Sequence, residues 1–441
     1  MKPGRRVHVV AAALTLALGL PVPALAGATT GAAPEVRAGV LGDDFRISDR
    51  LGAAGEWLGD VVWDGSAGQY LVVWGDDRSA STRGEDVLGQ RVLADGSQVG
   101  GNFRISSPDA TSNEGAPAVA WNGSDEYLVV WSDMRNQAAR GYDIYGQRVS
   151  ASGARVGAEV RISGGGAVAD DQWPAVAWNP AVNQYLVVWE DHRRSSTRGA
   201  DVCGQRVSDD GLLVGGNLRI SGAGATTDEL TPAIATNGTA NQYLVVWADG
   251  RNASTREDDI YGQRVSGAGA RLGGNFRISG AAAAKADVDP AVAWSQRSNE
   301  YLVVWSDRRN YPTRGWDIYG RRVAADGARI GADFRVSGLL ATADDKAPDL
   351  AWNRVSNQFV VVWYDARSWV GRSTDIYGRA VSASGTPAGD DFRICGPAAT
   401  SYEVSAGVAW STSANQGLAV WADGRSQATR GPDIYGRRLS G

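Results

Sequence analysis

"YLVVWSDRRNYPTRGWDIYGRRV", residues 301–323, decides the fold. An apolar run breaks into a loop carrying Asp and Arg, then resumes as DIYG. Near copies stand at 127–149 (YLVVWSDMRNQAARGYDIYGQRV) and 243–265 (YLVVWADGRNASTREDDIYGQRV). The Trp closing the first run recurs at Trp74, Trp131, Trp189, Trp247, Trp305, Trp363 and Trp421, at intervals of 57 residues once and 58 five times. A fixed period of this length means one supersecondary unit stacked repeatedly.

Each unit holds four strand-like runs separated by Gly, Asn, Ser and Asp. In the second unit they are APAVAW (116–121), EYLVVW (126–131), DIYGQRV (143–149) and AEVRIS (158–163). The second run is apolar on both alternating faces, as a strand covered on both sides must be. Turns such as ADG at 94–96 and 325–327 suit tight hairpins. Four antiparallel strands, each unit sandwiched between its neighbours, make a propeller blade. The first run occurs seven times, ending at Trp63, Trp121, Trp178, Thr236, Trp294, Trp352 and Trp410. The last unit stops at DIYGRRLSG without a fourth strand, while a spare one, DDFRIS (43–48), precedes the first unit. The expectation is therefore an all-β, seven-bladed propeller of four-stranded antiparallel blades over residues 43–441. The N-terminal strand should pair into the last blade and leave no open edge.

The pattern VVW-x-D-x-R, DIYG and DG resembles the repeat of secreted bacterial β-propellers related to the sialidase and Asp-box group, over nearly the whole chain after the leader. An Asp box, S-x-D-x-G-x-x-W, carries a Trp in its last hairpin; here that hairpin reads SASGARVG or AADGARIG and lacks it. The resemblance implies the fold and export, and transfers no catalytic residue.

The first 26 residues read as a signal peptide: Lys2, Arg5 and Arg6, then the apolar Val9 to Leu20, then the small-x-small site Ala24-Leu25-Ala26. Residues 27–42 are expected to be a linker. Export, to the periplasm or the outside, would leave a soluble protein with no integral membrane segment, since the apolar run is short for a bilayer. Export permits a disulfide, but Cys203 and Cys395 fall in blades that should not touch, so both read as small buried substitutions. At 43% hydrophobic, 21% charged and net charge −5, the chain is ordinary for a globular protein and lacks the basic footprint of a nucleic-acid binder. It is expected to act as a monomer without a cofactor.

Four charges keep fixed offsets from the second-strand Trp in every unit. In the fifth these are Asp307, Arg309, Arg314 and Asp317, with a fifth charge, Asp287, seven residues before the first-strand Trp294. All lie in the loops between second and third strands and between blades, which emerge on one face. Identical charges in every blade suit a self-bracing loop: Asp bonding turn amides and Arg forking onto Asp. As exposed pairs they would contribute only about 0–1 kcal/mol each.

A specific site needs asymmetry. Of 17 Trp, thirteen belong to the repeat and Trp57, Trp173, Trp316 and Trp369 do not. Blades 5 and 6 gather Tyr311 and Trp316 in one loop, Tyr364 and Trp369 in the next, and Lys346 between them. Beside Arg314, Arg367 and Arg372, these aromatics form the expected ligand site for an extracellular polysaccharide or glycoconjugate. His192, the lone histidine after the leader, reads as a surface residue, and neither a zinc nor a calcium motif is present. No catalytic residue stands out, because the repeat places an Arg near each carboxylate and so favours its ionised form over a general acid. The alternatives are a glycan-cleaving enzyme, either a sialidase-like glycoside hydrolase or a polysaccharide lyase, and a protein-binding scaffold.

Overall fold

The computed structural model describes residues 38–49, 55–82, 84–108, 112–164, 169–222, 227–280, 285–338, 343–397, 401–426 and 431–441. The leader and most of the expected linker lie outside them. The described residues form seven four-stranded sheets, each strand antiparallel to its neighbour. Blade 2 is typical, with strands Glu114–Trp121, Glu126–Asp133, Asp143–Ser150 and Arg155–Arg161. Blade 7 consists of Glu403–Trp410, Gln416–Asp423 and Asp433–Ser440, completed by Gly39–Arg46. This closing strand begins at Gly39, so residues 39–42 belong to the propeller and not to a linker. Their hydrogen bonds to the last strand, Gly39 opposite Ser440 and Leu41 opposite Arg438, extend the ladder past the FRIS signature.

The period-2 pattern explains the packing. First strands of neighbouring blades pack on one another around the axis, and the second strand packs against the next blade's first strand. Second-strand side chains are buried on both faces, Tyr127 through Trp131 being fully covered. The Gly of DIYG has a steric cause: a Cβ on Gly146 would meet Ile162 Cδ1 at 2.8 Å, and one on Gly436 would meet Ile47 Cδ1 at 2.7 Å. The isoleucine of each RIS segment thus fills the room its glycine leaves.

Every first strand carries a bulge near its start. In blades 2 to 7 the bulge holds a left-handed non-glycine residue: Ala116, Trp173, Thr231, Asp289, Ala347 or Ser405. Proline follows it in blades 2 to 6, where its missing N–H costs the irregular ladder nothing. Bulges of this kind re-aim side chains at the rim of the axis, on the face that bears the long loops.

Candidate functional site

The repeated loop charges brace the structure. In blade 2, Asp133 Oδ1 accepts from Arg135 N at 2.8 Å and Nε at 2.9 Å, while Oδ2 accepts from Arg135 Nη2 at 2.6 Å and Trp131 Nε1 at 3.1 Å. The same Asp–Arg fork recurs in all seven blades. In five of them the guanidinium also lies over the third-strand tyrosine, as Arg309 lies 3.9 Å from the Tyr319 ring centre. These pairs are less exposed than the sequence suggested: each Asp is fully buried, and the Arg side chains are 15% (Arg309) to 32% (Arg193) exposed. The Asp opening each third strand takes a different partner, the Arg ending the fourth strand; Asp86 holds Arg104 at 2.6 Å and Asp433 holds Arg46 at 2.8 Å.

The first-strand acids correct the expectation that arginine keeps every carboxylate ionised. Glu56, Glu114 and Glu403 are pushed up to about 8, and Asp171 and Glu229 to about 7. Asp287 and Asp345 are raised as well. Burial is the main cause in every case, and the adjacent second-strand Asp adds repulsion. The arginine spends its fork on that second-strand Asp and reaches Glu114 only at 3.5 Å, so desolvation wins.

The blade 5 and 6 residues divide into two groups. Tyr311, Trp316, Lys346 and Tyr364 come together. Lys346 Nζ lies 4.7 Å from the Trp316 ring centre, and Lys346 sits opposite Tyr364 in the strand register. The structure adds Arg308, whose guanidinium lies 4.1 Å from the Tyr311 ring centre and 5.8 Å from that of Trp316. A band alternating aromatic and cation therefore runs Tyr311–Arg308–Trp316–Lys346. Asp344 anchors it, accepting Trp316 N at 3.2 Å and pairing with Lys346 at 3.3 Å. Tyr311 is 49% exposed.

The other predicted residues do other work. Arg367 is forked onto Asp365, also pairs with Asp391 and covers the Tyr377 ring at 3.9 Å. Arg314 faces Asp317 at 3.9 Å. Trp369 is 65% exposed on a short helix, Trp369–Arg372, and no contact of its ring with the band is seen among the described residues. The Arg372 side chain lies outside the described residues.

Sequence reading missed several residues that break the repeat. Arg308 occupies the third position after the strand-end Trp, where the other blades carry Asp77, Met134, His192, Gly250, Ala366 and Gly424; this variability was the available signal. Three residues before the first-strand Trp, four blades have alanine and blade 7 Gly407, but blades 1 and 6 have Asp60 and Asp349. Both are buried, and each accepts an amide of the next blade's first strand: Val119 N at 2.9 Å and Val408 N at 2.8 Å. Burial and then the Asp349 charge hold the Asp60 carboxyl well above the ordinary range.

In blade 1, Glu85 rests over two glycines, where a Cβ on Gly75 would collide with Oε1 and one on Gly115 would lie 3.2 Å from Oε2. Burial first, and then Asp77, push Glu85 up to about 7, and Asp77 is raised too. Beside them Trp57 is 48% exposed, its Nε1 and Asp77 Oδ2 both turned to Gly55. His192 is half-buried rather than a plain surface residue: its Nε2 lies 3.4 Å from the buried Glu190, which raises it.

What fold and site define is a seven-bladed β-propeller with a loop-bearing face on which local clusters interrupt a sevenfold charge lattice. No family model matches the chain, and no curated protein matches it in sequence. Solved structures align only distantly. An α-L-arabinanase of Penicillium chrysogenum in complex with arabinobiose is 14% identical, covers 73% of this chain and 92% of its own, and gives a TM-score of 0.48. An α-L-arabinofuranosidase of Fusarium graminearum with arabinobiose gives 13%, 71%, 89% and 0.48. A puromycin hydrolase gives 15%, 87%, 53% and 0.49. Likeness at this level says nothing about what this chain acts on.

Proposed function

We propose that this protein binds extracellular polysaccharide on the loop-bearing face of blades 5 and 6. The observation that carries the reading is the Tyr311–Arg308–Trp316–Lys346 band, which the repeat does not require and which leaves Tyr311 half-exposed. Such a band offers a sugar both of the contacts it needs. Ring C–H faces stack on the tyrosine and tryptophan planes, while hydroxyl or carboxylate oxygens accept from guanidinium and ammonium donors. The cations are held in place by the rings and by Glu257 and Asp344, so little order is lost on binding. Export by the N-terminal leader, with action as a monomer, belongs to the same proposal.

A second reading, glycan cleavage, is favoured by Glu85. A carboxyl at about 7 beside a second raised carboxyl, Asp77, and an exposed Trp57 has the make-up of a general acid with its partner and a sugar platform. One experiment separates the two: incubate the protein with a panel of immobilised polysaccharides and read both retention and released reducing ends or unsaturated products. Retention without product, abolished by Trp316→Ala, supports binding. Product release lost in Glu85→Gln supports cleavage and overturns the purely binding reading.

A further inference from the structure

Each junction between blades is closed by three buried groups. They are the Asp that opens the third strand, a Ser just past the fourth strand and the acid of the next blade's first strand. In the second junction Ser163 Oγ accepts Ile144 N at 3.0 Å and lies 3.4 Å from Asp143 Oδ1, with Asp171 beyond. Serine holds this place at 48, 106, 163, 221, 279 and 337. The junction of blades 6 and 7 alone carries a thiol, Cys395, between Asp375 and Glu403.

We propose that Asp375, Cys395 and Glu403 form a binding site for a thiophilic divalent cation, zinc being the natural occupant. The ligand atoms of the three lie within 4.8 Å of one another, and all three residues are buried. Cys395 Sγ is 3.4 Å from Asp375 Oδ1. A tetrahedral zinc with bonds of about 2.3 Å to sulfur and about 2.0 Å to oxygen separates such a pair by about 3.5 Å, so these two need hardly move. Glu403 is fully buried, and among the described residues no hydrogen-bond donor outside the cluster reaches either of its oxygens.

Charge favours the same occupant. Asp375 keeps Arg393, whose Nε lies 2.8 Å away. With Cys395 as thiolate and both acids ionised, three negative charges and one positive leave two negative charges, which a divalent ion neutralises. Binding sends the thiol proton, and the proton that the buried Glu403 carboxyl holds, to solvent, because all three ligands bind deprotonated. The serine junctions contain neither the soft ligand nor the third charge, so they serve as controls within the molecule.

The test uses the full chain, purified and stripped of metal, titrated with Cd2+ while the ultraviolet thiolate-to-cadmium charge-transfer band is followed. The expected result is saturation at one equivalent, reversal by Zn2+, and a higher melting temperature with Zn2+ than without. Cys395→Ser recreates the residue of the other six junctions and should fold; it should lose the band and the melting shift. Glu403→Gln should weaken binding at least tenfold, and Cys203→Ser should leave it unchanged. An absent band, a band that survives in Cys395→Ser, or one that follows Cys203 would overturn the site.

Discussion

Gly39 and Ser440, the first residue of the first strand and the last of the last, are partners in one antiparallel ladder. The ring therefore closes on backbone hydrogen bonds between chain ends. Arg425 Nη2 adds a 2.6 Å contact to Asp44, and Ile47 is fully buried against Gly436. Replacing Ile47 with alanine should cost about 2–5 kcal/mol, as a buried large-to-small change does. Ile162→Ala, the equivalent inside blade 2, should cost a similar amount in urea unfolding. A much smaller loss for Ile47 would mean that the closing strand is dispensable.

The Asp–Arg fork at each second-strand end should be a strong point of the fold. Asp133→Ala strips partners from Arg135 and from the Trp131 indole at once. Removing one member of a buried pair typically costs about 3–5 kcal/mol; because Arg135 keeps Glu159 at 2.9 Å, the loss here should fall at the lower end of that range. Arg194→Ala, at an exposed position in the blade 3 loop, should change stability by less than about 0.5 kcal/mol. Denaturant melts of the two variants give the comparison directly.

Stability should fall as pH rises from about 5 to about 8. The first-strand acids release their protons near 4.5 when unfolded but hold them to about 7 or 8 when folded. Within that window the folded state binds more protons, so unfolding becomes easier with increasing pH, by up to about 1.4 kcal/mol per pH unit for each fully shifted group. Glu114→Gln should flatten the slope of melting temperature against pH in this range. A stability that rises from pH 5 to 8 would show these acids to be ionised in the fold.

The architecture was legible because it repeats: a Trp every 57 or 58 residues fixes the blade, and a missing last strand with a spare first one fixes the closure. The role of Arg308 was hidden, since its value comes from lying between Tyr311 and Trp316, three and eight residues further on in a loop whose path the pattern does not determine. Arg367 is the opposite case, paired in the fold with Asp365 and Asp391. A repeated position is already committed to its own Asp, and the sequence cannot show that both forks are used. Cys395 near Glu403 and Asp375 is a three-strand coincidence across a blade junction, which no linear spacing announces.

Binding should separate the two exposed tryptophan loops of blades 5 and 6. Trp316→Ala removes the ring that links Arg308 and Lys346, and should weaken polysaccharide retention at least tenfold, equivalent to about 1.4 kcal/mol. Trp369→Ala, outside the band, should weaken it less than threefold. Affinity electrophoresis of both variants against the retained polysaccharide reads the difference. Equal losses would widen the site to the neighbouring loop.

Asp60 and Asp349 offer a sharper trial of whether the axis serves the fold or a function. Each replaces the alanine or glycine that other blades carry, each is buried, and their charges oppose one another. If packing were the only demand, the repeat's own alanine would serve as well. The double variant Asp60→Ala/Asp349→Ala should therefore be at least as stable as the parent at pH 8, and because burial holds the Asp60 carboxyl well above its ordinary range, the gain should shrink at pH 5. A large loss of stability at both pH values would make the two amide contacts, to Val119 and Val408, the reason for the acids. Unchanged or greater stability with altered polysaccharide retention or cleavage would instead place a functional demand on the propeller axis, since residues kept at a cost to stability are kept for what they do.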